Sequence, residues 1–408
     1  MEGSASVVAV AVEVEVEVAV EVEVEVGVEV GVEVGVEVGV EVGVEVGVGV
    51  EVGVEVGVEV GVGVGVCGWG WGWGSGVGVL TAERSCPRGV PMLPIRLERP
   101  VRVSEPFDLD LTVRSHGWYD LPPWRYDVER RVLGRPLLLP GGRTAYAEVA
   151  EGQGGLAFRA FAEGRLGGEE ARAAQAALRH CLALDDDLSG FYARAAALEA
   201  RRAVGEGKDL PDLRWALARG AGRLLRSPTV FEDAVKTLCT TNCSWGLTRA
   251  MVTRLCDALG AAAPLGTRAF PTPAAMAAMP ERFYREGIRA GYRAPFLGAL
   301  ARDVASGALD LEALRASTES TDALARRLRT LAGFGPYATE HLLRLLGRHD
   351  HLALDSWTRP KLAALRGRRR VPTDRALRRW YAPYGPFAGL AMWLEVTADW
   401  HGERPAWP

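Results

Sequence analysis

Lysine is almost missing from this chain: of 48 basic residues only Lys208, Lys236 and Lys361 are lysines, and the rest are arginines. Cysteine is scarce too. The six, at 67, 86, 181, 239, 243 and 256, form no CxxC pair, and none follows Cys256. That spacing argues against a disulfide framework, a zinc finger or a C-terminal iron–sulfur loop, and it fits a reducing, cytoplasmic compartment. No basic start precedes a compact apolar run, so nothing reads as a secretory signal. The valine-rich beginning is too interrupted by glutamate to span a membrane.

That beginning is low in complexity. Residues 7–66 are almost wholly Val, Glu and Gly in alternation, and CGWGWGWGSG comes next. Alternation with period two normally argues for strands. A core made of one apolar residue type cannot interdigitate, however, because close packing needs mixed shapes. Val, Glu and Gly codons all begin with G, so a slipping G-rich repeat writes this text. Residues 1–91 therefore read as an unselected, disordered or mis-annotated tail, with Met92 as the expected start. An elastic or β-aggregating segment is the alternative.

The tail hides the charge of the remaining chain. Setting aside the 15 glutamates of residues 1–66 turns the formal net charge of −4 into +11 for residues 67–408. A positive body points to a polyanion, and arginine forks suit phosphate oxygens. About 320 residues remain, enough for two or three packed units. Residues 93–162 alternate apolar and polar residues between Gly and Pro, and predict a small antiparallel β domain at 92–165. Within it, Phe107, Leu109, Leu111 and Val113 would share one face of a strand. From 166 to 408 the period becomes helical. Helices are expected over 169–184, 188–203 and 213–225, then two more within 228–260 broken around 241–245. Further helices are expected at 336–346, 375–380 and 387–400. The fold class is α+β.

The most informative stretch is 331–340, LAGFGPYATE. A Gly-Phe-Gly turn runs into a helix with Pro336 at its first position, where a missing N–H costs nothing. Glycines admit a close partner, and the helix start offers free N–H groups and partial positive charge, a combination suited to phosphate. Asp355 comes 20 residues after Gly335, in HLALDSWTR. A backbone clamp with one acid beside it can hold a nucleic acid strand and act on a sugar. Asp355 also reads as an ordinary helix N-cap, and the two roles are compatible.

Five segments in order carry a family resemblance: VFEDAVKTLCTTNCSWGLTRAMVTRLCDALG, FPTPAAM, GYRAPFL, LRTLAGFGPYATEHLLRLLG with LALDSW, and YAPYGPFAGLAMW. Together they resemble the helix-hairpin-helix (HhH-GPD) DNA glycosylases, most closely those for 3-methyladenine and 8-oxoguanine. The resemblance runs from about residue 107 to 400, is densest after 227, and sets the hairpin near 327–346. It implies base-excision repair of double-stranded DNA containing a damaged base, by a monomer in the cytoplasm at the nucleoid, with no membrane.

Residue by residue, Asp355 stands where the family keeps its catalytic acid, beside an oxocarbenium-like transition state. Tyr337 stands where the 8-oxoguanine branch has a lysine nucleophile. With no lysine in the motif, a Schiff base is unavailable there, which implies a monofunctional enzyme without lyase activity. Tyr337 and Tyr384 match aromatic walls of the alkylation branch, which implies an alkylated purine stacked between rings. Trp357 and Met392 complete the implied base pocket. Met392 replaces a polar amide of the oxidised-purine branch, and that branch's early GQ-x-F-R-W motif is replaced by HGWYDLPPW. Asn242, with Cys243 and Ser244, matches the wedge that fills the gap left by a flipped nucleotide. Gly333, Gly335 and the N–H groups of Tyr337, Ala338 and Thr339 should grip phosphates. The resemblance also implies a monovalent cation on carbonyls near Gly333 and Gly335, and no other cofactor. Arg289, Tyr292 and Arg293 should brace the helices.

Overall fold

The computed structural model describes residues 95–101, 106–207 and 209–402. Expectations for the tail and for residues 92–94 lie outside the described residues. The described residues belong to one compact unit.

Alternation does produce strands: β1 Ile95–Val101, β2 Arg125–Asp127, β3 Val132–Leu138, β4 Thr144–Gly152 and β5 Gly155–Phe161. They make one antiparallel sheet in the order β1-β5-β4-β3-β2. β4 and β5 form a tight hairpin whose register runs from Tyr146 opposite Phe161 to Gly152 opposite Gly155. A second, two-residue pair joins β6 Ala262–Ala263 to β7 Thr267–Arg268.

One expected strand is a helix. Leu109–Val113 form α1, and all five residues are buried. Asp108 caps it, its Oδ1 accepting the N–H of Leu111 at 3.0 Å. The polar residues that suggested an outer strand face are satisfied locally. Asp110 accepts from Arg114 Nε at 2.8 Å and from the Tyr126 hydroxyl at 2.8 Å. A capping aspartate followed by a wholly buried turn carries no period to read.

The helices continue as α2 Gly168–Cys181, α3 Ser189–Ala203, α4 Arg214–Arg219, α5 Val230–Thr240, α6 Trp245–Leu259 and α7 Pro273–Ala277. After these come α8 Ala294–Ala305, α9 Thr321–Leu328, α10 Pro336–Leu345, α11 Thr358–Leu365, α12 Asp374–Tyr381 and α13 Ala388–Thr397. α4 is shorter than the expected 213–225, because Gly220 takes φ +69° and ends it. A Cβ there would lie 2.3 Å from the Pro106 backbone. The break between α5 and α6 falls where expected. Ser244 caps α6 by accepting the N–H of Leu247 at 3.3 Å. None of the described helices is long and apolar enough to cross a membrane.

Two cores result. One joins the inner face of the sheet (Leu133, Val149, Phe158) to α5, α6, α8 and α10. The other gathers α3, α12 and α13 around Phe191, Leu377, Tyr381 and Met392. A buried ion cluster pins β3 to α5. Glu232 takes both forks of Arg135, at 2.7 and 3.1 Å, and Lys236 Nζ lies 2.7 Å from its Oε1. Burial works against ionising Glu232, but the two cations outweigh it and hold its pKa below the usual value.

Candidate active site

Asp355 stands just before α11, where the chain turns in from α10. Its Oδ1 accepts the N–H groups of Trp357 at 2.9 Å and Thr358 at 2.6 Å, and its own N–H donates to Thr358 Oγ1 at 2.8 Å. This reciprocal box fixes the carboxylate in direction. Both partners use Oδ1, and no bond to Oδ2 exists among the described residues. The acid is half-buried and lines a cavity of about 620 Å³. The cap role and the site role coexist.

The cavity floor comes from α10. Tyr337, His341 and Arg344 line it at i, i+4 and i+7, one face of the helix. The Tyr337 and His341 rings stack at 5.9 Å and 24°, and the Tyr337 hydroxyl donates to Thr240 Oγ1 at 3.2 Å. His116 and Trp118, from the segment before β2, continue the wall. Trp118 lies 4.8 Å from His116 and 4.9 Å from His341 between ring centres. A tryptophan cluster also lines it: Trp357 is 6.3 Å from Trp393 and 5.5 Å from Trp400.

Burial keeps both imidazoles neutral. It pushes the pKa of His116 down to about 3, against the raising effect of the Leu225 carbonyl at 2.6 Å, and takes that of His341 well below its ordinary value. Tyr337 is pushed up by burial. The walls formed by His116, His341 and Tyr337 are therefore uncharged aromatic faces, while Arg114, Arg344 and Asp355 bring the ionisable groups to the cavity.

The structure brings Asp355, Tyr337, Trp357 and Cys243 together around this space. Tyr384 and Met392 are corrections to the expected pocket. Both are fully buried in the second core and do not line the cavity. α13 is buried all round, so its sequence offers no face that could place Met392.

The hairpin lies between α9 and α10. Gly333 has φ +83°, and a Cβ there would meet Phe296 at 2.7 Å and Leu238 at 2.9 Å. Gly335 is the N-cap of α10, and Pro336 is its first residue. The N–H groups of Tyr337 and Ala338 precede the first intrahelical bond and have no helical acceptor. Thr339 is a correction: its N–H already donates to Gly335 O at 3.0 Å, and its side chain is fully buried.

Asn242 is exposed at the tip between α5 and α6, in the left-handed region at φ +47°. Its Nδ2 donates to the Tyr292 hydroxyl at 3.2 Å, and Arg293 bonds Thr241 Oγ1 at 3.2 Å. Tyr292 and Arg293 thus brace the tip. Ser244 is committed to its cap, and Cys243 Sγ donates to Cys239 O at 3.1 Å.

Sequence reading missed His116, Trp118, His341, Arg344 and Trp393. His341 and Arg344 carried a usable signal, their helical spacing from Tyr337. The others come together only through tertiary packing.

No protein-family model and no curated protein matches the sequence. Solved structures do. The 3-methyladenine DNA glycosylase from Archaeoglobus fulgidus superposes with a TM-score of 0.57 at 18% identity, covering 76% of this chain and 98% of that one. A structure of MBOgg1 in complex with a low-affinity DNA ligand gives 0.54 at 17% identity, over 79% and 100%. The apo 8-oxoguanine glycosylase/lyase of Clostridium acetobutylicum gives 0.53 at 16%, over 71% and 92%. The chain has the fold of the helix-hairpin-helix DNA glycosylases.

Proposed function

We propose that the protein is a monofunctional DNA glycosylase of base-excision repair, which flips a damaged purine out of a duplex and hydrolyses its N-glycosidic bond. The observation that carries this is a fixed carboxylate, Asp355, lining an aromatic cavity one helix away from a glycine hairpin. Its volume of about 620 Å³ lies within the roughly 300–1,000 Å³ of small-molecule pockets.

Bond breaking leaves positive charge on the sugar at C1′. Asp355 stabilises that charge or takes a proton from the attacking water, and its two backbone N–H partners hold it without reorganisation. Tyr337 and His341 offer a flat face for the extruded base, and Trp357 lines the same cavity. Tyr337 carries no amine, so the sugar is released by water and the abasic strand stays intact. The Tyr337 and Ala338 N–H groups take a backbone phosphate, and Asn242 fills the vacated stack. Backbone carbonyls of the hairpin are the groups that would hold a monovalent cation, with one lone pair of Gly333 O already engaged by Gly335 N–H at 3.2 Å. An alkylated purine, the expectation from the paired tyrosines, now leans on Tyr337 alone.

The test is base release from duplexes carrying 3-methyladenine, 7-methylguanine, hypoxanthine, uracil or 8-oxoguanine, with and without alkali. Release by the wild type should fall about 10²- to 10⁴-fold in Asp355→Asn. Equal release by both proteins removes Asp355 from the chemistry. Strand breakage without alkali rules out the monofunctional assignment.

A further inference from the structure

Two arginines line the cavity, and the proposed hydrolysis uses neither: Arg114 is paired with Asp110, whereas Arg344 is not paired among the described residues. It is 6% exposed, lines the cavity, and its guanidinium carbon sits 4.0 Å from the centre of the Trp393 ring. No hydrogen bond or ion pair to its side chain exists among the described residues. Three other deeply buried basic side chains have a visible counter-charge. Arg135 and Lys236 share Glu232, and Lys361 holds Asp399 at 2.7 Å. Burial lowers the Arg344 pKa to about 10, opposed by Tyr337, Asp355 and Glu340, so the group stays charged at neutral pH.

An unpaired buried cation is costly unless something arrives to pair with it. The imidazoles beside it, His116 and His341, are neutral and supply no anion. Its position i+7 from Tyr337 puts it on the same face of α10 as the ring against which a base would stack.

We propose that Arg344 makes this site selective for a neutral purine bearing a carbonyl oxygen, rather than for a cationic, ring-alkylated purine. This rests on the glycosylase reading above and narrows its substrate. A guanidinium fork donates two parallel hydrogen bonds to acceptor edges such as O6 and N7, and it repels a ring that already carries positive charge. It also assists departure. When C1′–N9 of a neutral purine breaks, both bonding electrons leave with the base, which becomes an anion. Water adds to C1′ and loses its proton to Asp355, while the purine anion is stabilised by the Arg344 N–H groups until it is protonated on nitrogen by solvent. A cationic methylated purine leaves as a neutral molecule and gains nothing from this contact.

The experiment uses the full chain and single-turnover release from two duplexes, one with a single hypoxanthine and one with a single 7-methylguanine. Wild type should release hypoxanthine faster. Arg344→Met, which keeps contact with Trp393, should slow hypoxanthine release about 10- to 100-fold more than 7-methylguanine release. Arg344→Lys should retain part of the discrimination, and its thermal melt shows whether the fold survives loss of the fork. An equal loss on both duplexes in Arg344→Met overturns the proposal, because support of Asp355 or of the fold would act on both. Faster release of 7-methylguanine by the wild type overturns it as well, leaving the glycosylase reading intact. No release of any base by the wild type ends both.

Discussion

At the scale of single residues, the cap made by Asp355 can be separated from its proposed catalytic role. Asparagine keeps an Oδ1 acceptor for the N–H groups of Trp357 and Thr358, so Asp355→Asn should melt close to wild type while losing base release. Alanine removes both, and Asp355→Ala should also cost about 1 kcal/mol of stability, the usual worth of a helix cap. If the two variants melt alike, the cap contributes nothing. Gly333 makes a second residue-scale prediction. Its φ of +83° and the 2.7 Å approach of Phe296 leave an added methyl no room. Gly333→Ala should destabilise by about 2–3 kcal/mol, from strain and overpacking together. It should weaken duplex binding as the hairpin shifts, whereas Gly335→Ala, with open space around its Cβ, should be far milder. Chemical denaturation of the two variants side by side decides it.

At the scale of elements, what was legible depended on whether an element kept two distinct faces. β5 did along most of its length and β4 along its second half, and alternation found them, whereas β3 is buried from Leu133 to Leu137. α5 and α6 were legible through the polar break between them, although the caps Thr229 and Ser244 that start them were not read. α1 and α13 are buried on every side, so α1 passed for a strand and Met392 of α13 for a pocket residue. Tyr384 was misplaced for a related reason: an aromatic before a helix looks the same in sequence whether it faces a cavity or a core. Asp355 and the hairpin were legible because their roles are local, a cap and a turn. The His116–Trp118 wall was not, since it is made by folding a segment about 200 residues away onto α10.

A hinge between elements also carries a pH prediction. His351 bridges the hairpin helices, its Nδ1 3.1 Å from Glu340 on α10 and its Nε2 3.1 Å from Asp322 on α9. Asp350 adds to the negative field, and Arg329, 3.5 Å from Glu340, opposes it. The Glu340 hydrogen bond, against the effect of burial, raises the His351 pKa above its ordinary value of 6.5. A raised pKa means that the charged bridge contributes fully below the unfolded value and is lost as pH climbs through the folded one. Since Asp322 is largely exposed, the gain is modest, about 1 kcal/mol at most. His351→Gln should therefore be less stable than wild type at pH about 6, with the gap closing by pH about 8.5. A gap that widened with pH would mean the histidine is held neutral instead.

At the scale of the whole molecule, charge is divided along the chain rather than balanced. Residues 1–66 carry 15 glutamates and no Lys, Arg or Asp, while residues 67–408 carry a net +11. A protein that meets DNA through phosphate contacts gains affinity from each cation, and a tethered polyanion competes for the same arginines. Deleting residues 1–66 should leave the single-turnover rate of base release unchanged, because the cavity is lined by residues from Arg114 to Trp400. Duplex association should become faster and tighter at low salt, and the advantage should shrink as ionic strength approaches about 0.15 M and the screening length falls to about 8 Å. Stopped-flow binding of both proteins to undamaged duplex across a salt series measures this directly. If the truncated protein binds more weakly at every salt concentration, the tail is a contributor to DNA binding, and the repeat has a function that its composition does not suggest.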